Sequence, residues 1–180
     1  NKTVKAGNLN DSFEAILLPD IPRDIILEGK RKREEGESVY SIEFPPEYSG
    51  GIGKEGSANL KQFVEQGGTL VALASACEFV TSEFNIPVSN ALSRGRAADF
   101  NCPGTLLRIH VDAGHPVTYG MPEEAAAFLD DPMALETTPP GPEVTRKVLA
   151  TYPAQAEDIL LSGWLQGAEK LERKSAVVAL

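Results

Sequence analysis

Short apolar runs separated by turn-forming residues are the most regular feature of the first half of the chain. Two of them, residues 13–18 and 69–73, are apolar at consecutive positions, which is typical of strands covered on both faces in a parallel sheet. A helix is predicted between them over residues 55–66, because its apolar residues repeat at helical spacing. A second helix is predicted over residues 76–84. This alternation of strand and helix predicts an α/β domain with a mainly parallel sheet.

The second half of the chain has a different pattern. Residues 105–111 alternate in polarity and predict a strand. A short helix is predicted over residues 122–129, because a proline occupies its first position and two glutamates follow in the first turn. Three further strands are predicted over residues 144–152, 159–165 and 175–180.

The length and net charge of the chain narrow the classes of protein to which it can belong. A chain of 180 residues fits one compact domain, with a long loop insertion around residues 21–53. The formal net charge of −9 argues against a nucleic-acid partner, because phosphate binding depends on clustered, unneutralised basic residues. Basic and acidic side chains are equally numerous in the charge-dense run over residues 28–37, so this run is no basic patch. The apolar runs are too short for a transmembrane helix.

The segment over residues 67–77 is the strongest local candidate for chemistry. Here a strand runs into small residues and directly into a helix, which is the sequence pattern of a nucleophile elbow. Backbone amides at the start of such a helix can stabilise an anion. The structural alternative is that small residues only allow the helix to pack closely on the sheet.

This segment resembles the strand, elbow and helix of the class I glutamine amidotransferase-like fold. The family pattern has Gly-Gly, four apolar or small residues, and then a cysteine nucleophile between small residues. Laid on this chain, it puts Ala74 at the nucleophile position, and alanine has no nucleophilic atom. Ser75 follows one residue late and Cys77 three residues late. The resemblance therefore implies a degenerate, inactive elbow.

A longer set of segments is similar to one particular group of proteins, the bacterial zinc carboxypeptidase-like peptidases. In that group an amidotransferase-like domain follows the catalytic domain. The segments that carry the likeness are residues 6–20, 46–53, 67–77, 115–122 and 161–165.

The resemblance implies a flavodoxin-like fold, with a mainly parallel sheet and helices on both of its faces. It implies one amidotransferase-like domain over residues 1–180, incomplete at both ends, with the peptidase catalytic domain of the same polypeptide as its partner. It also implies a secreted or periplasmic location. Zinc is expected only in the catalytic domain of the parent protein, and no cofactor is expected in this segment. Neither His110 nor His115 lies in the His-x-x-Glu motif of a metallocarboxypeptidase, so no zinc ligand is transferred to this chain.

Candidate site residues follow from the elbow and from the neighbouring strand ends. The catalytic candidates are Cys77, Ser75 and His115, and the candidates for lining a ligand crevice are Asp20, Ala74, Ser75, Ala76 and Cys77. The acidic residues Asp20, Asp24 and Glu47 are candidates to gather at the carboxyl ends of the strands, where open α/β sheets place their ligands.

Purely structural roles are the alternatives to catalysis or binding for His115 and for the two cysteines. His115, which precedes a proline, fits a turn residue that hydrogen-bonds its neighbours. Cys77 and Cys102 fit buried, small apolar residues, with a disulfide between them or a place at a metal site as the alternatives.

Three functions remain open at this point. The first is a non-catalytic accessory domain of a zinc carboxypeptidase-like protein. The second is an active hydrolase or amidotransferase that uses Cys77 or Ser75. The third is a module that binds a small molecule or a peptide beside the elbow. The sequence leaves the oligomeric state open.

Overall fold

The computed structural model describes residues 1–30, 49–92, 99–130, 133–138 and 145–180. The chain forms two compact units, Asn1–Asn85 and Ile86–Leu180. Residues 1–180, predicted as one domain, divide between these two units.

The first unit combines a pair of parallel strands with helices. Its elements are α1 (Lys2–Ala6), β1 (Ala15–Leu18), α2 (Arg23–Glu28), α3 (Gly53–Glu65), β2 (Thr69–Ala72) and α4 (Ala76–Glu83), with a 3₁₀ turn at Leu9–Asp11. Strands β1 and β2 are parallel, from Ala15 opposite Thr69 to Leu18 opposite Ala72. The strands predicted over residues 13–18 and 69–73, and the helices predicted over residues 55–66 and 76–84, are confirmed to within about two residues at each end.

One face of this strand pair packs on the core of the unit. That core contains Leu9, Ile52, Leu60, Phe63 and Phe79, and apolar residues of β1 and β2 pack against it. The alternate residues of both strands face away from it, and Leu17 is 58 % exposed. The prediction that both strands are buried on both faces is therefore wrong.

A glycine is required where α3 leads into β2. A Cβ atom on Gly68 would lie 2.4 Å from the ring of Phe63, which is closer than nonbonded carbon atoms approach. Gly68 N also donates a hydrogen bond to Phe63 O at 2.9 Å. Gly68 therefore lets β2 follow the buried face of α3 closely.

The second unit is built around a larger sheet. Its strands are β3 (Val88–Asn90), β4 (Thr105–Val111), β5 (Glu124–Leu129), β6 (Leu135–Thr137), β7 (Lys147–Thr151), β8 (Leu160–Ser162) and β9 (Ser175–Ala179). Six strands follow the order β3-β6-β9-β7-β4-β5, and β8 pairs with β4. Every one of these pairings is antiparallel. Short 3₁₀ turns lie at Pro116–Thr118, Ala156–Asp158 and Ala168–Leu171.

The predicted fold class is wrong. The parallel pairing in the described part of the chain is the single pair β1–β2, whereas the seven-stranded sheet is antiparallel. All four α-helices within the described ranges lie in the first unit. A mainly parallel, flavodoxin-like sheet with helices on both faces is therefore not the architecture of this chain.

The burial pattern of β4 shows why the large sheet is antiparallel. Thr105, Leu107, Ile109 and Val111 are buried, and the residues between them are exposed or half-buried. Strict alternation of this kind belongs to antiparallel sheets that pack on one face only. The buried side contributes to a core that also contains Tyr152 and residues of the other strands.

The prediction of a helix over residues 122–129 is also wrong, because residues 124–129 form β5. Strand β5 pairs with β4 over six residues, from Glu124 opposite His110 to Leu129 opposite Thr105. Local signals favoured a helix there, namely the proline, the glutamates and three alanines in succession. Pairing with β4 and the burial of Leu129 override these weak local preferences.

Part of the predicted loop insertion over residues 21–53 lies outside the described residues. This part comprises residues 31–48, with most of the charge-dense run and Glu47. On either side of it, α2 and the start of α3 lie together, because Ile52 N donates a hydrogen bond to Ile26 O at 2.8 Å. The two described ends of the insertion therefore lie close to each other.

None of the helices in the described ranges has the length and apolarity that a membrane span requires. This agrees with the absence of a transmembrane helix predicted from the short apolar runs.

Candidate functional site

A tight turn joins β2 to α4 in the first unit. The strand ends at Ala72 and the helix begins at Ala76. Between them, Ala74 has φ of 45°, the left-handed region that alanine rarely adopts. The side chain of Ala76 is fully buried, so a larger residue there would separate the helix from the strand. This is the strand, strained turn and helix of an elbow, with an alanine methyl group at its apex.

Asp20 lies beside this turn and is bonded to it. Asp20 Oδ1 accepts a hydrogen bond from Ser75 N at 3.0 Å and a second, short one from Ser75 Oγ. Asp20 follows β1 and Ser75 follows β2. Because the two strands are parallel, their carboxyl ends lie at the same edge, which brings these two crevice candidates together.

The Asp20 carboxylate counteracts the chemistry expected of an elbow. An oxyanion hole needs backbone N–H groups at the start of the helix that are directed at the developing negative charge. Here Ser75 N–H is already donated to Asp20, and a second anion beside it would be repelled by the carboxylate. The Ser75 hydroxyl is held by the same oxygen atom. The backbone N–H of Ser75, which could otherwise bind an anion, is therefore already occupied by Asp20.

Cys77 lies one residue inside α4 and is partly buried. Its Sγ donates a hydrogen bond to Ala72 O at 3.4 Å. Burial raises the pKa of the Cys77 thiol, and the negative charge of Asp20 raises it further. Because the thiolate is the nucleophilic form of cysteine, Cys77 is a poor nucleophile at neutral pH.

Alkylation kinetics test this description of Cys77. At pH 7.5 we expect iodoacetamide to modify Cys77 several times more slowly than a free thiol of ordinary pKa. The variant Asp20→Asn removes the nearby charge, so the pKa should fall and the rate at pH 7.5 should rise. The matched control is Asp11→Asn, which removes an acidic side chain of the same unit that does not act on the thiol. Mass spectrometry of the Cys77 peptide follows each rate. An unchanged rate in Asp20→Asn would show that the carboxylate has no influence on the thiol.

The strained backbone conformation at Ala74 should lower the stability of the first unit. The left-handed conformation costs alanine about 1–2 kcal/mol, whereas glycine adopts it freely but has more unfolded-state entropy to lose, about 0.5–1 kcal/mol. We therefore expect Ala74→Gly to increase the free energy of unfolding by about 0.5–1 kcal/mol. The control Ala58→Gly, at an exposed position within α3, should decrease it by about 1 kcal/mol. Urea unfolding of both variants measures the difference, and a loss of stability in both would contradict the strained turn.

The two histidines of the chain, His110 and His115, lie in the second unit. His115 Nδ1 accepts a hydrogen bond from Val117 N at 3.2 Å at the start of the 3₁₀ turn Pro116–Thr118. The prediction of a turn residue that bonds its neighbours is confirmed. His110 is exposed on β4, opposite Glu124 of β5. The unit that contains the elbow thus has no histidine to act as a general base for Ser75 or Cys77.

The other candidates have ordinary structural positions. Asp24 lies in the first turn of α2, where its Oδ1 accepts a hydrogen bond from Ile25 N at 2.9 Å. Glu47 lies outside the described residues. Cys102 is buried in the core of the second unit. The structure contains no disulfide between Cys77 and Cys102.

An ion pair between α2 and α4 was not predicted from the sequence. Arg23 Nε donates to Glu83 Oε1 at 3.0 Å, and Arg23 Nη2 donates to the same oxygen at 2.5 Å. This pair joins the start of α2 to the end of α4. The two residues are sixty positions apart, and no local pattern in the sequence indicates that they meet.

Within the described ranges, no group of three or more His, Cys, Asp or Glu side chains is arranged to hold a metal ion.

Comparisons with protein-family models, with curated proteins and with solved structures found no match to this chain. The resemblance to the amidotransferase-like domain of zinc carboxypeptidase-like proteins therefore stays a prediction, supported by the residues quoted for it.

Proposed function

We propose that this chain is a non-catalytic accessory module of a bacterial zinc carboxypeptidase-like peptidase. In this proposal the segment over residues 67–77 keeps the shape of an amidotransferase elbow and has lost its nucleophile. Its partner is the catalytic domain of the same polypeptide, and that domain holds the zinc ion. The location that goes with this proposal is secreted or periplasmic.

The observation that carries the proposal is Ala74 at the apex of the elbow. A strained φ of 45° at a nonglycine residue costs stability and is commonly found where the backbone directs a reactive side chain. Here the residue in that position has only a methyl group. A turn that keeps the strain and lacks the reactive atom fits a site that descends from a catalytic one.

The contacts of Asp20 also favour a non-catalytic role. Its carboxylate accepts the amide and the hydroxyl of Ser75, and its charge raises the pKa of Cys77. An active hydrolase that uses Ser75 or Cys77 would need the opposite arrangement, with a base that activates the nucleophile and free amides for the oxyanion. The hydrolase alternative is therefore the weaker proposal, and among the described residues no contact favours ligand binding beside the elbow.

The accessory role is tested on the complete polypeptide that carries these residues. We expect it to bind one zinc ion per chain and to release carboxyl-terminal residues from peptides. Removal of the 180 residues should lower that activity or the thermal midpoint of the catalytic domain. Asp20→Asn in the complete polypeptide is the matched control, because it alters the elbow without removing the module, and it should leave kcat within about twofold.

Two results would overturn the proposal. The first is a complete polypeptide without bound zinc and without peptidase activity, which would exclude the peptidase parent. The second is a peptidase whose activity and thermal midpoint are both unchanged when the module is removed, which would exclude the accessory role.

A further inference from the structure

The turn that follows β4 in the second unit is capped by a histidine side chain. His115 precedes the 3₁₀ turn Pro116–Thr118, and its Nδ1 atom accepts a hydrogen bond from Val117 N at 3.2 Å. The side chains that usually cap the start of a helical turn are Ser, Thr, Asp and Asn. These keep the same charge between pH 5 and pH 8, whereas histidine does not. A histidine cap is therefore one that a change of pH can remove.

The nitrogen atom that accepts this bond cannot also carry a proton. In neutral imidazole one ring nitrogen is a donor and the other is an acceptor, so the bond from Val117 N requires the proton of His115 to be on Nε2. A second proton, taken from solvent at lower pH, binds the lone pair of Nδ1 that Val117 N–H uses. Both ring nitrogens are then donors, and two N–H groups point at each other. Protonation of His115 therefore breaks the bond to Val117.

A carboxylate next to the turn attracts the protonated ring. Asp112 directly follows β4 and interacts electrostatically with His115. Its Oδ1 accepts a hydrogen bond from Gly114 N at 3.2 Å, and its Oδ2 is ion-paired with Lys147 Nζ of β7 at 2.9 Å. The hydrogen bond from Lys147, followed by that from Gly114, holds the pKa of Asp112 below its ordinary value. The carboxylate is therefore charged throughout the range in which histidine titrates.

Thr118 anchors the turn through hydrogen bonds that do not use the imidazole ring. The residue is buried. Its N donates to the backbone O of His115 at 3.0 Å, and its O accepts from Met121 N at 3.0 Å. By contrast, Val117 is 70 % exposed and Tyr119 is 89 % exposed, so the side chains on either side of the anchor have little packing to hold them. Loss of the cap therefore loosens an exposed apolar segment whose centre stays fixed.

We propose that the turn Pro116–Thr118 is a pH-sensitive switch. When His115 is neutral, the amide of Val117 is capped and the turn is closed. Protonation of Nδ1 releases this amide and draws the ring towards the Asp112 carboxylate. The exposed side chains of Val117 and Tyr119 are then ordered at pH 8 and mobile near pH 5, the range over which histidine changes its charge. The switch lies within the second unit and does not depend on the proposed accessory role.

Nuclear magnetic resonance of the natural chain tests the switch. Between pH 8 and pH 5 the backbone amide resonance of Val117 should shift with the same midpoint as the ring resonances of His115. The matched variant is His115→Asn, because asparagine Oδ1 is bonded to Cγ as Nδ1 is and caps the turn without titrating. In this variant the Val117 resonance should stay constant. His110→Asn removes the other histidine and should leave the titration unchanged. A Val117 resonance that does not follow His115, or that shifts equally in His115→Asn, would overturn the proposal.

Chymotrypsin cleavage after Tyr119 measures the release of the segment itself. A charge on the ring shifts a nearby resonance even when the bond persists, whereas cleavage requires the backbone to open. Dividing the cleavage rate of the natural chain by that of His115→Asn at the same pH cancels the pH dependence of the protease. We expect this ratio to rise about three- to tenfold between pH 8 and pH 5.5, the factor that corresponds to the loss of one hydrogen bond. A ratio that is equal at the two pH values would contradict the switch.

Discussion

Phe79→Ala should lower the free energy of unfolding of the first unit by about 3–5 kcal/mol. The side chain of Phe79 is 0 % exposed, so its loss removes a full transfer contribution and leaves a cavity. It lies on α4, the helix that begins at the elbow, in contact with the core that contains Leu60 and Phe63. Its ring also meets Phe84 edge-on, with centroids 5.9 Å apart. The effect should therefore be among the largest of any single substitution in this unit.

The control for Phe79→Ala is Val64→Ala on α3. Val64 is among the exposed large apolar residues, so its truncation should change stability by less than about 1 kcal/mol. Urea unfolding followed by far-UV circular dichroism measures both variants. If the two substitutions have equal effects, Phe79 is not in the core, and the position of α4 against the strand pair is wrong.

Alkaline pH should destabilise the second unit through Tyr152. The residue is 4 % exposed, and its hydroxyl donates to Met133 O at 3.4 Å. Burial, followed by the nearby Cys102, raises the pKa of Tyr152 to about 12, whereas an unfolded tyrosine has a pKa of about 10. Between pH 10 and 12 the unfolded chain loses this proton and the folded chain keeps it. Stability therefore falls as pH rises through this window, by about 2–3 kcal/mol in total.

The variant Tyr152→Phe isolates this contribution. It has no phenol to ionise, so its stability should fall less than that of the natural chain between pH 10 and 12. Tyr119→Phe is the matched control, because Tyr119 is 89 % exposed and its substitution should leave the pH dependence unchanged. Urea unfolding at several pH values measures the slopes. Equal slopes for Tyr152→Phe and the natural chain would show that Tyr152 titrates normally.

The local elements of the first unit could be predicted from the sequence because their signals are local. Apolar repeats define α3, and the glycine pair marks its end. Strands β1 and β2 are continuous apolar runs bounded by turn residues. Burial of these strands could not be predicted, because a continuous apolar run is compatible with one covered face or with two. The exposure of Leu17 distinguishes the two cases.

The sheet of the second unit could not be predicted in the same way. Strand positions over residues 105–111, 144–152, 159–165 and 175–180 were found, but pairing partners and directions depend on contacts between distant residues. The alternation in β4 was the available signal for a one-sided antiparallel sheet. Strands β3 and β6 have three residues each, too few for a period to be visible. In β5, local helix preferences pointed to the wrong element.

At the elbow, the sequence predicts the shape of the turn and the missing nucleophile. It does not predict the contacts that the turn makes. Strand, small residues and helix follow one another at residues 69–84, and their order predicts the turn at Ala74. The bonds from Ser75 to Asp20 need β1 and β2 to be parallel neighbours, so they depend on the fold. Asp20 was found as a candidate because it follows a strand, and its inhibitory position beside the amide became clear only from the geometry.

The most direct test of the non-catalytic elbow is a pre-steady-state assay with an activated ester such as p-nitrophenyl acetate. We expect no burst of p-nitrophenol at pH 7.5, and the same slow background for the natural chain, Cys77→Ser and Ser75→Ala. The contrary result would be a burst that is stoichiometric with the chain and disappears in one of the two variants. That result would identify Cys77 or Ser75 as a working nucleophile and refute the proposed loss of catalysis.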